Sequence, residues 1–262
     1  MLKRVVVTGI GALTPIGLDV PTFWKGLSQS ISGAAPITRF DSSKFKTHFA
    51  CELKNFNPED YINKRELRKL DDFSVYALIS TEEAIKDSKL NLETINLQRC
   101  GVIWGSGIGG LNTMSSEIES YVLNDKIPRF SPFFIPKMIS DIAAGLLSIK
   151  YGFRGPNFST VSACASSTNS IIEAYHYIKL GKSDVMISGG SEASVNEAAL
   201  GGFNALRALS TRNDDPSRAS RPFDASRDGF VLGEGSGTII LEEYEHAKKR
   251  GAKIYCELKG TG

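Results

Sequence analysis

Cysteine is sparse and scattered in this chain. Residues 51, 100, 164 and 256 form no CxxC pair, which argues against a zinc site or a disulfide framework and fits a reducing cytosol. The expected location is the cytoplasm, and neither a metal nor a cofactor is expected. No apolar run approaches the roughly 18–20 residues of a membrane span, so no membrane partner is expected. The start, "MLKRVVVTGIG", has only a short apolar stretch before its glycines and reads as a first strand, not as a signal peptide. A net charge of +2 is too small to argue for nucleic acid, and any basic partner site has to be local. Low-complexity linkers and internal repeats are absent. Histidine is the other scarcity. His48, His176 and His246 are the only three, and each reads as a surface residue better than as a catalytic base.

What the sequence does hold is an alternation of strand and helix patterns. The β-branched run at 4–8 looks like a strand covered on both faces, as do 100–107, 158–164, 184–190 and 236–244. Between them, 66–90 carries apolar residues at three- and four-residue spacing. The segment 135–152 opens near a proline and stops at a glycine. After Cys164, Ile171, Tyr175 and Ile178 line one face of a helix, and Gly181 stands where its C-terminal cap belongs. This predicts an α/β fold with a mostly parallel five-stranded sheet between helices. "GAKIYCELKGTG", at the end, reads as a further strand.

Two glycine loops invite a nucleotide. "TGIGALTPIG" follows a strand but lacks the third glycine of the dinucleotide fingerprint, whereas "GSGIGG" (105–110) matches it. A nucleotide site also needs a helix, a return strand and an acidic residue about 20 positions on. No convincing return strand follows, so glycines that permit tight turns beside a site explain the pattern better. Cys164 stands among small residues just before a helix, and a helix start favours a thiolate. A free cysteine is equally at home as a small buried residue. The local pattern leaves both readings open, and the serines and threonine that follow also suit a helix start.

The segment "GPNFSTVSACASSTNSI" resembles the active-site segment of β-ketoacyl-[acyl-carrier-protein] synthases. "VVVTGIGALTPIG", "GSGIGGL", "SPFFIP", "GGSEA", "GGFNALRALSTRND" and "SRPFDASRDGFVLGEGSG" extend that resemblance, in family order, over essentially all 262 residues. The resemblance implies a thiolase-like fold and a homodimer, with residues 1–250 as its N-terminal half and 251–262 as the start of a truncated C-terminal half. It also implies that Cys164 accepts an acyl chain from acyl carrier protein, after which malonyl carrier protein decarboxylates and condenses with the thioester. Ile108 and Phe203 match residues lining the acyl pocket. Phe133 matches one that approaches the partner subunit's pocket, and Phe230 the aromatic residue on the malonyl side. Plain core packing would explain any of these four.

The basic cluster "NKRELRKL" (63–70) by itself reads as a solvated face. Under the resemblance, Lys64, Arg65, Arg68 and Lys69, with Arg129 and Arg207 nearby, dock the acidic carrier protein. The family's two catalytic histidines, its lysine and its gating loop belong to the second half, and no residue of this chain matches them. The chain alone is therefore expected to be inactive in condensation. Two alternatives stand beside this: a noncatalytic partner like a chain-length factor, which typically lacks the cysteine, and a thiolase-like enzyme acting on coenzyme A thioesters.

Overall fold

The computed structural model describes residues 2–261. In chain order the elements begin with β1 (Val5–Leu13), α1 (Val20–Ser28) and a short ribbon of β2 (Ala35–Pro36) with β3 (Phe49–Ala50). Helices α2 (Lys64–Leu67) and α3 (Asp72–Ser88) precede β4 (Cys100–Gly105). After it come α4 (Leu111–Leu123), α5 (Phe134–Met138), α6 (Ile142–Tyr151), β5 (Asn157–Thr160) and α7 (Ser166–Lys179). The chain continues through β6 (Val185–Glu192), α8 (Glu197–Ala205), β7 (Gly235–Glu243), α9 (Tyr244–Lys249) and β8 (Cys256–Leu258).

Six strands form one sheet in the order β5-β4-β6-β7-β1-β8. β4 runs parallel to β5 and β6, whereas β7 is antiparallel to both β6 and β1. All five strands expected from the β-branched runs are present, and β7 alone among them is reversed. The terminal strand β8 joins the same sheet at its edge, antiparallel to β1.

Alternation along the strands explains why they read as continuous apolar runs. Val102 and Trp104 of β4, Val185 and Ile187 of β6 and Ile240 of β7 face α3 and α6. Ile103, Met186 and Leu241 face α7. Each face is covered by helices, so the central strands are mostly apolar on both sides, and the polar side chains they do bury, such as Thr8, Thr238 and Glu242, are hydrogen-bonded. The approach of α3 to β1 is close: a Cβ on Gly11 would lie 1.9 Å from the Ser80 carbonyl oxygen.

Three boundaries differ from the sequence-based expectation. The helix expected over 66–90 is interrupted at 68–71, where buried Asp71 caps α3 by accepting from the Phe73 N–H at 3.3 Å. The helix expected over 135–152 breaks between Met138 and Ile142. At that break the Met138 carbonyl accepts from the Gly110 N–H at 3.0 Å and the Ser140 carbonyl from Ser159 Oγ at 3.2 Å. The glycine loop and β5 thus use backbone groups that a continuous helix would have consumed. Strand β5 ends at Thr160, and residues 161–165 turn sharply into α7. Gly181 adopts the left-handed φ of +72° expected of a helix C-terminus.

Candidate active site

The turn before α7 is built to present one side chain. Ala163 has φ +51°, the left-handed region, which costs a non-glycine residue about 1–2 kcal/mol. Side-chain hydrogen bonds hold it there. Ser166 Oγ donates to the Ala163 carbonyl at 2.7 Å and accepts from the Ser162 N–H at 2.9 Å. Thr160 Oγ1 donates to the Ser166 carbonyl at 2.7 Å, and Asn169 Nδ2 to Ser162 Oγ at 2.6 Å. Ser166 and Thr160 therefore lock the turn, beyond a generic helix-start role. Cys164, at its apex, is exposed. The start of α7, two residues on, favours negative charge there.

Glycines at the ends of β4 and β6 let α7 come this close. A Cβ on Gly105 would lie 2.4 Å from the Ser167 nitrogen, and one on Gly190 2.5 Å from Ser167 Cβ. Gly105→Ala is therefore expected to push the start of α7 away from the sheet. Overpacking of this kind destabilises by about 1–3 kcal/mol. The rate at which a small alkylating reagent modifies Cys164, followed beside a denaturation curve, is expected to change together with that loss.

The "GSGIGG" loop already holds an anion, and it is internal. Glu192, the last residue of β6, accepts from the N–H groups of Gly107 at 2.7 Å, Ile108 at 3.1 Å and Gly109 at 3.3 Å, and from Ser106 Oγ at 3.4 Å. Burial raises its pKa, against the lowering effect of those four bonds. The donors that a phosphate would need are occupied, which disposes of the nucleotide alternative.

A cavity of about 1100 Å³ opens beside the turn. Cys164, Ile108, Phe203 and Phe230 all line it, together with Trp24 and Ile171. The rings of Phe203 and Phe230 meet edge to face, with centroids 5.2 Å apart. Phe133 lies outside the lining, exposed at the start of α5. Glu234 also reaches the cavity wall; it is paired with Arg39 and accepts from the Leu53 N–H at 2.7 Å and the Tyr76 hydroxyl at 3.3 Å. Sequence reasoning missed Glu192 and Glu234. The one available signal was an acidic residue at the end of an otherwise apolar or glycine-rich stretch.

None of the residues lining the cavity is a histidine. His48 bonds the Phe45 carbonyl at 2.9 Å, and His176 the Thr261 hydroxyl at 3.3 Å. His246 departs from its expected surface position. It is half-buried, with Nδ1 2.6 Å from the fully buried carboxylate of Glu242. Among the described residues no cluster of His, Cys, Asp or Glu is arranged to hold a metal ion, and no helix is long and apolar enough to cross a membrane.

The basic cluster divides in two. Lys64 pairs with Glu59 at 3.5 Å and Lys69 with Glu66 at 2.8 Å. Arg65 and Arg68 are exposed and form no ion pair among the described residues. Arg129 and Arg207 are likewise exposed.

Comparison with known proteins places this geometry. A family model described as the N-terminal domain of β-ketoacyl synthases matches residues 2–247. The chain is 50% identical over 261 residues to 3-oxoacyl-[acyl-carrier-protein] synthase 2 of Staphylococcus aureus, a match covering 99% of this chain and 62% of that protein. It is 48% identical over 259 residues to the protein of the same name from Synechocystis, covering 98% and 62%. Among solved structures, a β-ketoacyl synthase from Burkholderia phymatum superposes with a TM-score of 0.87 at 33% identity, covering 97% of this chain and 62% of that one. The ishigamide ketosynthase/chain length factor superposes with a TM-score of 0.90 at 28% identity, covering 99% and 63%. The fold is thiolase-like, and the chain spans a little under two thirds of the length of the curated relatives it matches. The chain belongs to the β-ketoacyl synthase family, whose N-terminal domain is matched by its residues 2–247.

Proposed function

We propose that Cys164 is the acyl-accepting nucleophile of a 3-oxoacyl-[acyl-carrier-protein] synthase of the type II kind. One observation carries this: an exposed thiol sits at the apex of a strained, side-chain-locked turn, facing a largely apolar cavity with Ile108, Phe203 and Phe230 in its wall. The thiolate attacks the carbonyl of a carrier-bound acyl thioester. The Cys164 N–H, which donates to nothing among the described residues, is placed to share in stabilising the oxyanion. The carrier thiol leaves, and the acyl group remains on Cys164 as a thioester with its chain in the cavity. In the second step, malonyl carrier protein loses carbon dioxide, and its carbanion attacks that thioester. Cys164 is released as thiolate, and the 3-oxoacyl product is longer by two carbons.

The cavity-lining residues of this chain equip the first step. The enolate oxygen of the second step needs hydrogen-bond donors, and no histidine here supplies them. We therefore assign condensation to the complete enzyme, a cytoplasmic homodimer in this proposal, and acyl transfer to Cys164. Phe133, exposed just before α5, is assigned to the partner subunit's pocket, and Phe230 to the malonyl side. The exposed, cavity-facing thiol weighs against a noncatalytic chain-length partner. Incubation with an acyl carrier thioester followed by intact-mass measurement tests the assignment: an adduct on Cys164 is expected.

The carrier protein docks, in this proposal, on Arg65 and Arg68, with Lys64, Lys69, Arg129 and Arg207 around them. The two unpaired arginines are the centre because their charge is not already neutralised. Reversing both to glutamate in the full-length enzyme is expected to slow carrier-dependent acylation by about tenfold or more at low salt, with a much smaller effect at high salt. Equal rates at both salt concentrations would reject the docking site.

A further inference from the structure

Glu192 is a half-buried carboxylate in the wall of the cavity, with no cation beside it. It forms no ion pair among the described residues, and its protein donors there are the four groups of residues 106–109. Those donors divide evenly: Oε2 takes the N–H groups of Gly107 and Ile108, and Oε1 takes Gly109 N–H and Ser106 Oγ. Ser106 Oγ in turn accepts from the Gly109 N–H at 3.1 Å. The loop so gathered carries Ile108, whose side chain lines the cavity with Cys164.

Backbone hems the loop on its other sides. A Cβ on Gly107 would lie 3.2 Å from the Ala163 carbonyl, one on Gly109 2.8 Å from the Met138 carbonyl, and one on Gly110 2.4 Å from the Lys137 carbonyl. On the cavity side nothing of the kind stands against the loop, for Ile108 is exposed there. We propose that Glu192 is a positioning residue that fixes Ile108 in the cavity wall and thereby sets how long an acyl chain Cys164 accepts.

This rests on the acyl-transfer function proposed above and goes further, to its chain-length specificity. Glutamine keeps the shape of Glu192 but presents an NH₂ group to N–H donors on one side. Two of the four bonds are lost, and the displaced loop shortens the space for acyl carbons. A long chain suffers from this more than a short one.

The test uses the full-length protein as wild type, Glu192→Gln and Ser106→Ala, with carrier-bound acyl thioesters of graded length. The measured quantity is kcat/KM for acylation of Cys164. Loss of hydrogen bonds to a charged group corresponds to roughly ten- to a hundredfold in such a ratio. The long-to-short ratio is expected to fall by that factor in Glu192→Gln and by less, in the same direction, in Ser106→Ala. An equal loss at every length, or an unchanged profile in folded Glu192→Gln, overturns the assignment. If Glu192→Gln does not fold, Ser106→Ala decides, and an unchanged ratio there overturns it equally. Failure of the wild type to acylate at Cys164 overturns the acyl-transfer function itself, and is thereby distinguishable from the failure of Glu192 alone.

Discussion

Replacement of Cys164 by alanine is expected to abolish formation of the acyl-enzyme. Intact-mass measurement after incubation of the full-length protein with an acyl carrier thioester should show the acyl adduct in the wild type and none in the variant. The loss is expected to be on the order of a thousandfold or more, since no other group replaces a missing nucleophile. The remaining cysteines serve as internal controls, and their environments say why. Cys100 is buried, and burial pushes its thiol up to about 12, so almost no thiolate forms near neutral pH. Cys51 reaches the cavity but is half-buried, and burial raises it as well. Cys256 is exposed on the edge strand β8 and is absent from the cavity lining. Cys164 alone is both exposed and on the cavity wall. An adduct of unchanged size in Cys164→Ala would move the chemistry to another thiol and remove the basis of the proposed function.

Much of this arrangement is legible in the sequence. Strands buried on both faces appear as β-branched runs, and β1, β4, β6 and β7 were found that way. The direction of β7 was not, because side-chain composition says nothing of which way a strand runs. The breaks at 68–71 and 139–141 were also hidden. At the first the Asp71 carboxylate accepts from Thr113, and at the second the Met138 and Ser140 carbonyls accept from Gly110 and Ser159; apolar periodicity does not register such long-range partners. The candidate site divides along the same line. Cys164, Ile108, Phe203 and Phe230 line one cavity, although the local pattern of each suits core packing equally well. Glu192 and Glu234 are invisible in the sequence because a carboxylate bound by loop N–H groups is recognised only by the donors that surround it. For Glu192 these lie more than 80 positions away in sequence.

A second large effect belongs to the fold and not to the chemistry. Glu242, on β7, is fully buried and saturated with partners. Arg250 grips it through two bonds of 2.7 Å, His246 Nδ1 lies at 2.6 Å, and Thr8 Oγ1 donates at 2.8 Å. The network ties the start of β1, the end of β7 and the segment after α9 together. Removing one member of a buried ion pair costs about 3–5 kcal/mol, because the charge left behind is uncompensated. Glu242→Ala is expected to lose that much unfolding free energy in urea. A loss below about 1 kcal/mol would mean that water reaches the site and that the network is not a structural centre.

The same contacts set a pH dependence with two signs. Burial raises the Glu242 carboxyl, but its bonds to Arg250 and His246 outweigh this and hold it below its ordinary 4.5. Its contribution is therefore present above that value and is lost as pH falls below it. The bond to Glu242 raises His246 above 6.5, against the opposing effect of burial. Its contribution is complete below 6.5 and is lost as pH rises through the raised folded-state value. Stability from this pair is greatest between the two limits, in mildly acidic solution. In His246→Ala the decline on the alkaline side should disappear while the acid-side loss from Glu242 persists. A variant that keeps the wild-type decline above pH 6.5 would assign that slope to another group.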